Sequence, residues 1–210
     1  MLAAAILAAG ESRRMGSPKA LLNIQGKTFV EHLLAATRHP RVGVTRIVLG
    51  AGAAEIQAQL NAGAATIVVN DEWEKGQLSS IQAAIRSLSH GAAAGARIGA
   101  TAEATEGLIL CPVDHPLISA GLVARLIEQF DASVKRIVLP TYGGRRGHPV
   151  IFHATLYAEL LAASHEVGAR QVVRAHPEDI VEVPTDEEGV VLNLNDPEML
   201  RRAIGFQKQG

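Results

Sequence analysis

The chain has 210 residues, of which 48% are hydrophobic, with a formal net charge of -1 and one cysteine. That length suits one domain with a sizeable core, so residues 1–210 are expected to fold as a single domain. The balanced charge excludes a general nucleic-acid or membrane-surface binder, each of which needs a basic excess, and a lone cysteine excludes an internal disulfide framework. No basic segment precedes the first apolar run, and no apolar run is long enough to span a bilayer, so a cytoplasmic protein is expected.

The predicted elements begin with a buried strand over Leu2 to Ala8. It ends at small residues and runs into Gly10-Glu11-Ser12-Arg13-Arg14-Met15-Gly16-Ser17-Pro18-Lys19. Small residues let a backbone come close to a ligand. Exposed N–H groups, Arg14 and Lys19 suit phosphate oxygens, and the two cations would offset the charge that develops as a phosphoanhydride breaks. Arg13 is read as facing solvent.

A helix over Thr28 to Arg38 follows, with Thr28 as its cap, then a strand over Arg46 to Leu49, a helix over Ala53 to Leu60 and a strand over Ala65 to Val69. Two familiar patterns fail here. Gly26-Lys27-Thr28 looks like the end of a P-loop, but Leu21 stands where that motif needs glycine, so a turn and helix cap are expected. Gly50-Ala51-Gly52 lacks the third glycine of a dinucleotide fingerprint, where Glu55 stands, and is read as a strand-to-helix turn.

In Trp73-Glu74-Lys75-Gly76-Gln77-Leu78-Ser79-Ser80, Gly76 and the paired serines open a helix over Ser79 to Leu88. The hydroxyls of Ser79 and Ser80 either cap that helix or contact a nucleobase or ribose. His90 to Glu106, rich in Ala and Gly, reads as a surface loop or frayed helix extension. A strand over Leu108 to Val113 then ends at Asp114, pinned by Pro112 and Pro116. Asp114 has two readings: a magnesium ligand, since that ion needs few protein oxygens beside substrate phosphates, or a cap or turn residue before the helix at Ala120 to Phe130. His115 is read as structural, and Cys111 as a core residue.

Strands over Ile137 to Leu139 and Val150 to Phe152 flank Gly143-Gly144-Arg145-Arg146-Gly147-His148-Pro149, either a hairpin turn or a seat for the phosphate end of a second substrate. Helices at Leu156 to Ala163 and Ala169 to Ala175, a strand at Ile180 to Val183 and a closing helix at Pro197 to Ile204 complete the chain. Before that helix, Asp196 is a natural N-cap with Pro197 at the first helical position, while Asn195 would supply a second metal oxygen. The alternation implies a mainly parallel sheet with helices on both faces and ligands beyond the carboxyl ends of its strands.

Taken together, LAAG-x-S-x-R-M-G-x-P-K at Leu7 to Lys19, W-x-x-G-x-x-S-S at Trp73 to Ser80, D-x-P at Asp114 to Pro116, R-G-x-P-V-x-F at Arg146 to Phe152, G-A-R at Gly168 to Arg170 and N-x-P-E-x-L at Asn195 to Leu200 resemble the MobA-like nucleotidyltransferases. Within them the pattern is similar to the molybdenum cofactor cytidylyltransferases. The resemblance implies a three-layer α/β/α Rossmann-like fold of the glycosyltransferase-A type with a mostly parallel sheet. It implies Mg²⁺-dependent transfer of CMP from CTP to the phosphate of molybdopterin with release of pyrophosphate, and a molybdoenzyme as recipient of the product. It assigns Leu7, Ala8, Ala9, Gly10, Gly76, Ser79 and Ser80 to the nucleotide, Arg14 and Lys19 to its triphosphate, Asp114 and Asn195 to the metal, and Arg146, Gly147 and His148 to the acceptor. Arg14, Lys19 and Asp114 are the catalytic set. The chain departs from the family at Asn193 and Asn195, where Asp-x-Asp is frequent, at His115, where cytidylyl members usually carry Gln, and at Val167, where Asp is common. The alternatives are another NTP, a sugar or polyol phosphate acceptor, and a non-catalytic nucleotide- or cofactor-binding protein.

Overall fold

Side-chain alternation along the first strand, β1 (Leu2–Ala8), sets the layers. Leu2, Ala4, Ile6 and Ala8 enter one hydrophobic core, while Ala3, Ala5 and Leu7 enter a second. This is the two-residue period of a strand buried on both faces. The computed structural model describes residues 1–89 and 105–206. Of the stretch from His90 to Glu106, residues 90–104 lie outside the described residues.

After β1 come a hairpin, β2 (Asn23–Ile24) and β3 (Lys27–Thr28), then α1 (Phe29–Ala36), β4 (Val42–Leu49), α2 (Ala53–Gln59), β5 (Thr66–Val69) and α3 (Gln77–Ser89). The second half holds β6 (Gly107–Pro112), α4 (Ala120–Ala132), β7 (Ile137–Tyr142), β8 (Arg145–Arg146), β9 (Val150–His153), α5 (Tyr157–Ala162), α6 (Arg170–Ala175), β10 (Ile180–Pro184) and α7 (Pro197–Phe206). The main sheet runs β10-β7-β9-β6-β1-β4-β5, with β8 paired to β7. Its strands pair in parallel except where β9 meets β6 and β7 and where β8 meets β7. On one face Phe29, Leu33, Ile56, Leu126 and Ile127 pack from α1, α2 and α4. On the other, Leu78, Ile81, Ile85, Leu160 and Val172 pack from α3, α5 and α6. The result is the three-layer α/β/α arrangement the alternation predicts.

Several elements differ from expectation for local reasons. β4 starts at Val42 rather than Arg46, because Leu2 to Ala4 of β1 pair with its partly exposed beginning. The Gly26-Lys27-Thr28 decoy is a two-residue hairpin turn, with Gln25 at φ 53° and Gly26 at φ 80°, followed by a cap. Thr28 accepts the Glu31 N–H at 3.1 Å while Glu31 accepts the Thr28 N–H at 2.7 Å, a reciprocal capping box. Asp196 caps α7, accepting the N–H groups of Glu198 and Met199 at 3.0 and 2.9 Å. Asp114 does not cap α4: that cap is Ser119, whose hydroxyl accepts the Leu122 N–H at 3.0 Å.

Candidate active site

β1 and β6 are parallel neighbours with Leu7 opposite Pro112, so the loop after Ala8 and the turn at Asp114 emerge side by side. The Val113 N–H donates to the Leu7 carbonyl at 3.0 Å and holds the two exits together. Ser12 then shapes the first loop. It sits at φ 56°, and its hydroxyl accepts the Lys19 N–H at 3.0 Å. Lys19 is thereby drawn back over the strand ends.

Three openings adjoin this edge. A cavity of about 220 Å³ is lined by Leu7, Ala9, Gly10, Ser12, Lys19, Trp73, Gly76, Gln77, Ser80 and Asp114, among others. Beside it, one of about 240 Å³ is lined by Glu11, Ser12, Arg13, Arg14, Lys19 and Asn195. A larger one of about 540 Å³ has a floor of Leu78, Ile81, Leu110, Leu139 and Phe152 and a rim that includes Arg146, Gly147, His148, Arg170 and Arg174. Leu7, Gln77 and Pro112 line both the first and the largest.

Lys19 is the hub of the polar side. Its Nζ donates to Asn195 Oδ1 at 2.5 Å, across 176 residues of sequence. Burial lowers its pKa, the Asp114 carboxylate opposes that shift, and Arg14 adds to it. The closing segment is fastened beneath the same site, where the Leu194 N–H donates to the Asp114 carbonyl at 2.8 Å. Among the described residues the Asp114 side chain has no hydrogen-bond partner, and no cluster of three or more His, Cys, Asp or Glu side chains forms a metal cage. Arg13 pairs instead with Glu11 at 2.6 Å on the exposed face of the loop.

Ser79 and Ser80 are nearly buried, at 2% and 3% exposure. Both hydroxyls accept from Asn70 Nδ2, at 2.8 and 3.1 Å, and Ser79 donates to the Gly76 carbonyl at 2.8 Å. Ser80 lines the smaller cavity; Ser79 ties α3 to the end of β5. Ala8 is core, with its neighbours Leu7 and Ala9 reaching the cavity.

On the acceptor side, Gly143 and Gly144 form a hairpin turn between β7 and β8. Arg146 lines the large cavity, but its guanidinium meets Glu182 at 2.7 Å on β10. Gly147 has no room for a side chain, since a Cβ there would lie 2.4 Å from the Val190 carbonyl oxygen. The His148 N–H donates to that same carbonyl at 2.8 Å. The His115 ring lies 4.9 Å from that of His148 and donates Nδ1–H to the Gly189 carbonyl at 3.2 Å. Burial lowers the His115 pKa, while the Asp114 carboxylate and the Gly189 hydrogen bond oppose that shift.

Sequence reasoning missed Ser12, Gln77, Arg170 and Arg174. Arg170 carried a signal in the G-A-R segment, and Arg174 one turn later falls on the same side of α6. Ser12 carried one as the serine of LAAG-x-S-x-R, while Gln77 left none, because its role depends on where two cavities meet.

A mostly parallel sheet whose strand ends carry a cationic loop, a carboxylate and adjoining cavities defines an α/β nucleotide-handling enzyme. The model of the MobA-like NTP transferase domain matches residues 4–180. The chain therefore belongs to the MobA-like NTP transferase family, and it is an enzyme of nucleotidyltransferase type. It is 30% identical to a nicotine blue oxidoreductase of Paenarthrobacter nicotinovorans, over 95% of this chain and 94% of that protein. It is 27% identical to a molybdenum cofactor guanylyltransferase of Shewanella sp. strain ANA-3, over 95% and 93% of the two chains. Among solved structures, Rv0371c of Mycobacterium tuberculosis superposes with a TM-score of 0.78 at 23% identity, covering 97% of each chain. That protein has also been solved in complex with manganese.

Proposed function

We propose that the protein transfers CMP from CTP to the phosphate of molybdopterin, releasing pyrophosphate. The observation that carries this reading is the pair of cavities sharing Leu7, Gln77 and Pro112 as a common wall. One side offers backbone, Lys19 and Asp114, the chemistry of a nucleoside triphosphate. The other is larger and floored by Leu, Ile and Phe, the chemistry of a flat heteroaromatic body. A sugar or polyol phosphate would leave its hydroxyls unpaired against that floor, which disfavours such an acceptor.

In this reading Leu7, Ala9, Gly10, Gly76 and Ser80 shape the nucleotide seat, Ala8 supports it from the core, and Ser79 holds it through Asn70. Arg14 and Lys19 meet the triphosphate. The acceptor phosphate is already an anionic nucleophile, so the protein contributes placement and charge neutralisation rather than a strong base. Asp114 and Asn195, both beside Lys19, fit a magnesium ion shared with substrate phosphates and not an all-protein cage. When bound, that ion supplies positive charge at the phosphoanhydride. Asn195 accepts from Lys19 Nζ and so sets the lysine's position in the meantime. The acceptor side is Arg146, Gly147 and His148, and the product passes to a molybdoenzyme.

LAAG at Leu7 to Gly10 supports CTP, whereas the relatives named guanylyltransferase make GTP the competing nucleotide. Pyrophosphate release in the presence of Mg²⁺, with each NTP and with or without molybdopterin, tests the proposal. Release that requires both CTP and molybdopterin supports it; release with GTP alone among the NTPs overturns the base assignment. The oxidoreductase relative favours a second reading, redox chemistry on a flat substrate in the larger cavity. Substrate-dependent oxidation of a nicotinamide hydride donor without pyrophosphate release would select it.

A further inference from the structure

The wall of the larger cavity holds a polar atom that the fold leaves unexplained. His148 Nδ1 is sealed from solvent and has no hydrogen-bond partner among the described residues. The other ring nitrogen, Nε2, also bonds no described residue and is not sealed, and His148 is among the residues that line the cavity. Burial first, then His115 and Arg170, push the His148 pKa down to about 3, so the ring is uncharged at neutral pH. A neutral imidazole carries a single N–H. On Nδ1 that hydrogen would be a buried donor without an acceptor. On Nε2 it leaves only a buried lone pair, and orphaned donors are the rarer of the two in folded proteins. The environment therefore favours Nε2–H, which puts the hydrogen on the unsealed nitrogen of a cavity-lining ring.

The charged part of the rim is set apart from this donor. Arg170 and Arg174 stand four residues apart on α6 and both line the cavity. Neither forms an ion pair with a described residue, whereas Arg146 is engaged by Glu182. Glu166 is the one acid among the described lining residues, and the half-exposed Val167 beside it adds no charge.

We propose that His148, held as its neutral Nε2–H tautomer, donates a hydrogen bond to a ring nitrogen or oxygen of the acceptor while Arg170 and Arg174 hold the acceptor's negative charge, so that these residues select an anionic heteroaromatic acceptor. This inference rests on the nucleotidyl-transfer reading above. Its chemistry makes a specific demand on substitutions. The side-chain amide nitrogen of glutamine reaches about where histidine Nε2 lies, and that of asparagine about where Nδ1 lies. His148→Gln therefore keeps the donor, whereas His148→Asn and His148→Phe remove it.

The test is fluorescence titration of 6-hydroxymethylpterin monophosphate into the full chain, with glucose 1-phosphate as the second probe and CTP with Ca²⁺ as a control on the nucleotide cavity. One hydrogen bond lost gives about a tenfold rise in Kd, and loss of both arginines more than that. The expected pattern is a Kd within about threefold of wild type for His148→Gln, about tenfold weaker for His148→Asn and His148→Phe, and weaker still for Arg170→Ala/Arg174→Ala. CTP binding stays at the wild-type value in all four. Long-range ¹H–¹⁵N spectra of the wild type, with His148 assigned by its loss in His148→Gln, should give the Nε2–H pattern at pH 7. An Nδ1–H pattern, or equal affinities of the Gln and Asn variants, overturns the inference. Pterin phosphate binding that ignores all four substitutions overturns it while leaving the transfer reading intact. Glucose 1-phosphate binding that obeys them, with no pterin phosphate binding, sinks the acceptor class and the molybdopterin reading together. Absence of binding by both probes contradicts both.

Discussion

Lys19→Met removes the ammonium and keeps the aliphatic stem. In the free protein Lys19 Nζ sits 2.5 Å from Asn195 Oδ1, half-buried, with its pKa lowered first by burial. The site thus holds a cation already partly stripped of water, which an anionic ligand would meet at full strength. Removing one preorganised donor of this kind costs about 100- to 1,000-fold in kcat, or roughly 2.7–4 kcal/mol. The folding cost is much smaller. Asn195 loses one partner, about 1 kcal/mol, and removal of a desolvated charge offsets part of it. For a chain of this size about 1 kcal/mol moves Tm by roughly 2–4 °C. Pyrophosphate release and thermal unfolding on the same preparation separate the two effects. Turnover within about threefold of wild type would refute a phosphate-binding Lys19, set against the loss expected for a preorganised donor. A Tm drop beyond roughly 10 °C would refute the claim that the loss is chemical rather than structural.

Other outcomes follow from single contacts. Gly147→Ala forces a Cβ against the Val190 carbonyl oxygen, where the ideal distance is 2.4 Å, and should cost about 1–3 kcal/mol of stability and shift the closing segment that carries Asn195, lowering kcat as well; unchanged Tm and turnover would contradict this. Asp196→Ala deletes the α7 cap and should lower stability by about 1 kcal/mol in chemical denaturation. Glu106, held by Arg41 and then by the Met1 ammonium, has its carboxyl pKa lowered to about 2. A depressed folded pKa gives stability that is present above the ordinary value of 4.5 and lost as pH falls toward about 2. Glu106→Gln should therefore lower stability at pH 7 by less than about 1 kcal/mol, because the pair is exposed, converge with the wild type near pH 2, and so flatten the acid limb of the Tm profile. Burial pushes the Cys111 thiol up to about 12, so thiol reagents should modify it only on unfolding; rapid labelling of the native protein would contradict its place in β6.

Much of the fold was legible because burial on both faces leaves a plain record. The apolar run of β1 and the helical stripe of α3 each state their own period. The partly exposed start of β4, V-G-V-T, states none, and becomes a strand only because β1 lies alongside it. Of the two hairpins, the one at Gly143-Gly144 stood among the readings of its basic segment, whereas Gln25-Gly26 sat inside a false P-loop that read as a turn and helix cap without strands. At the site, chain order led to Lys19, Asp114 and Asn195, which the fold brings together from the segments after β1 and β6 and the segment before α7. Side-chain partnership was not legible. Nothing local in Arg146 announces Glu182 on β10, and nothing in Ser79 announces Asn70. Those contacts belong to the tertiary fold, as does the wall that Gln77 forms between two cavities.

The proposed transfer joins two substrates into one molecule, and the product itself can be weighed. Mass spectrometry of a reaction of the full chain with CTP, molybdopterin and Mg²⁺ should find molybdopterin cytosine dinucleotide accumulating in step with pyrophosphate, and none with the Asp114→Ala variant. Consumption of CTP with no dinucleotide of molybdopterin, or the same product at the same rate from Asp114→Ala, would contradict the account.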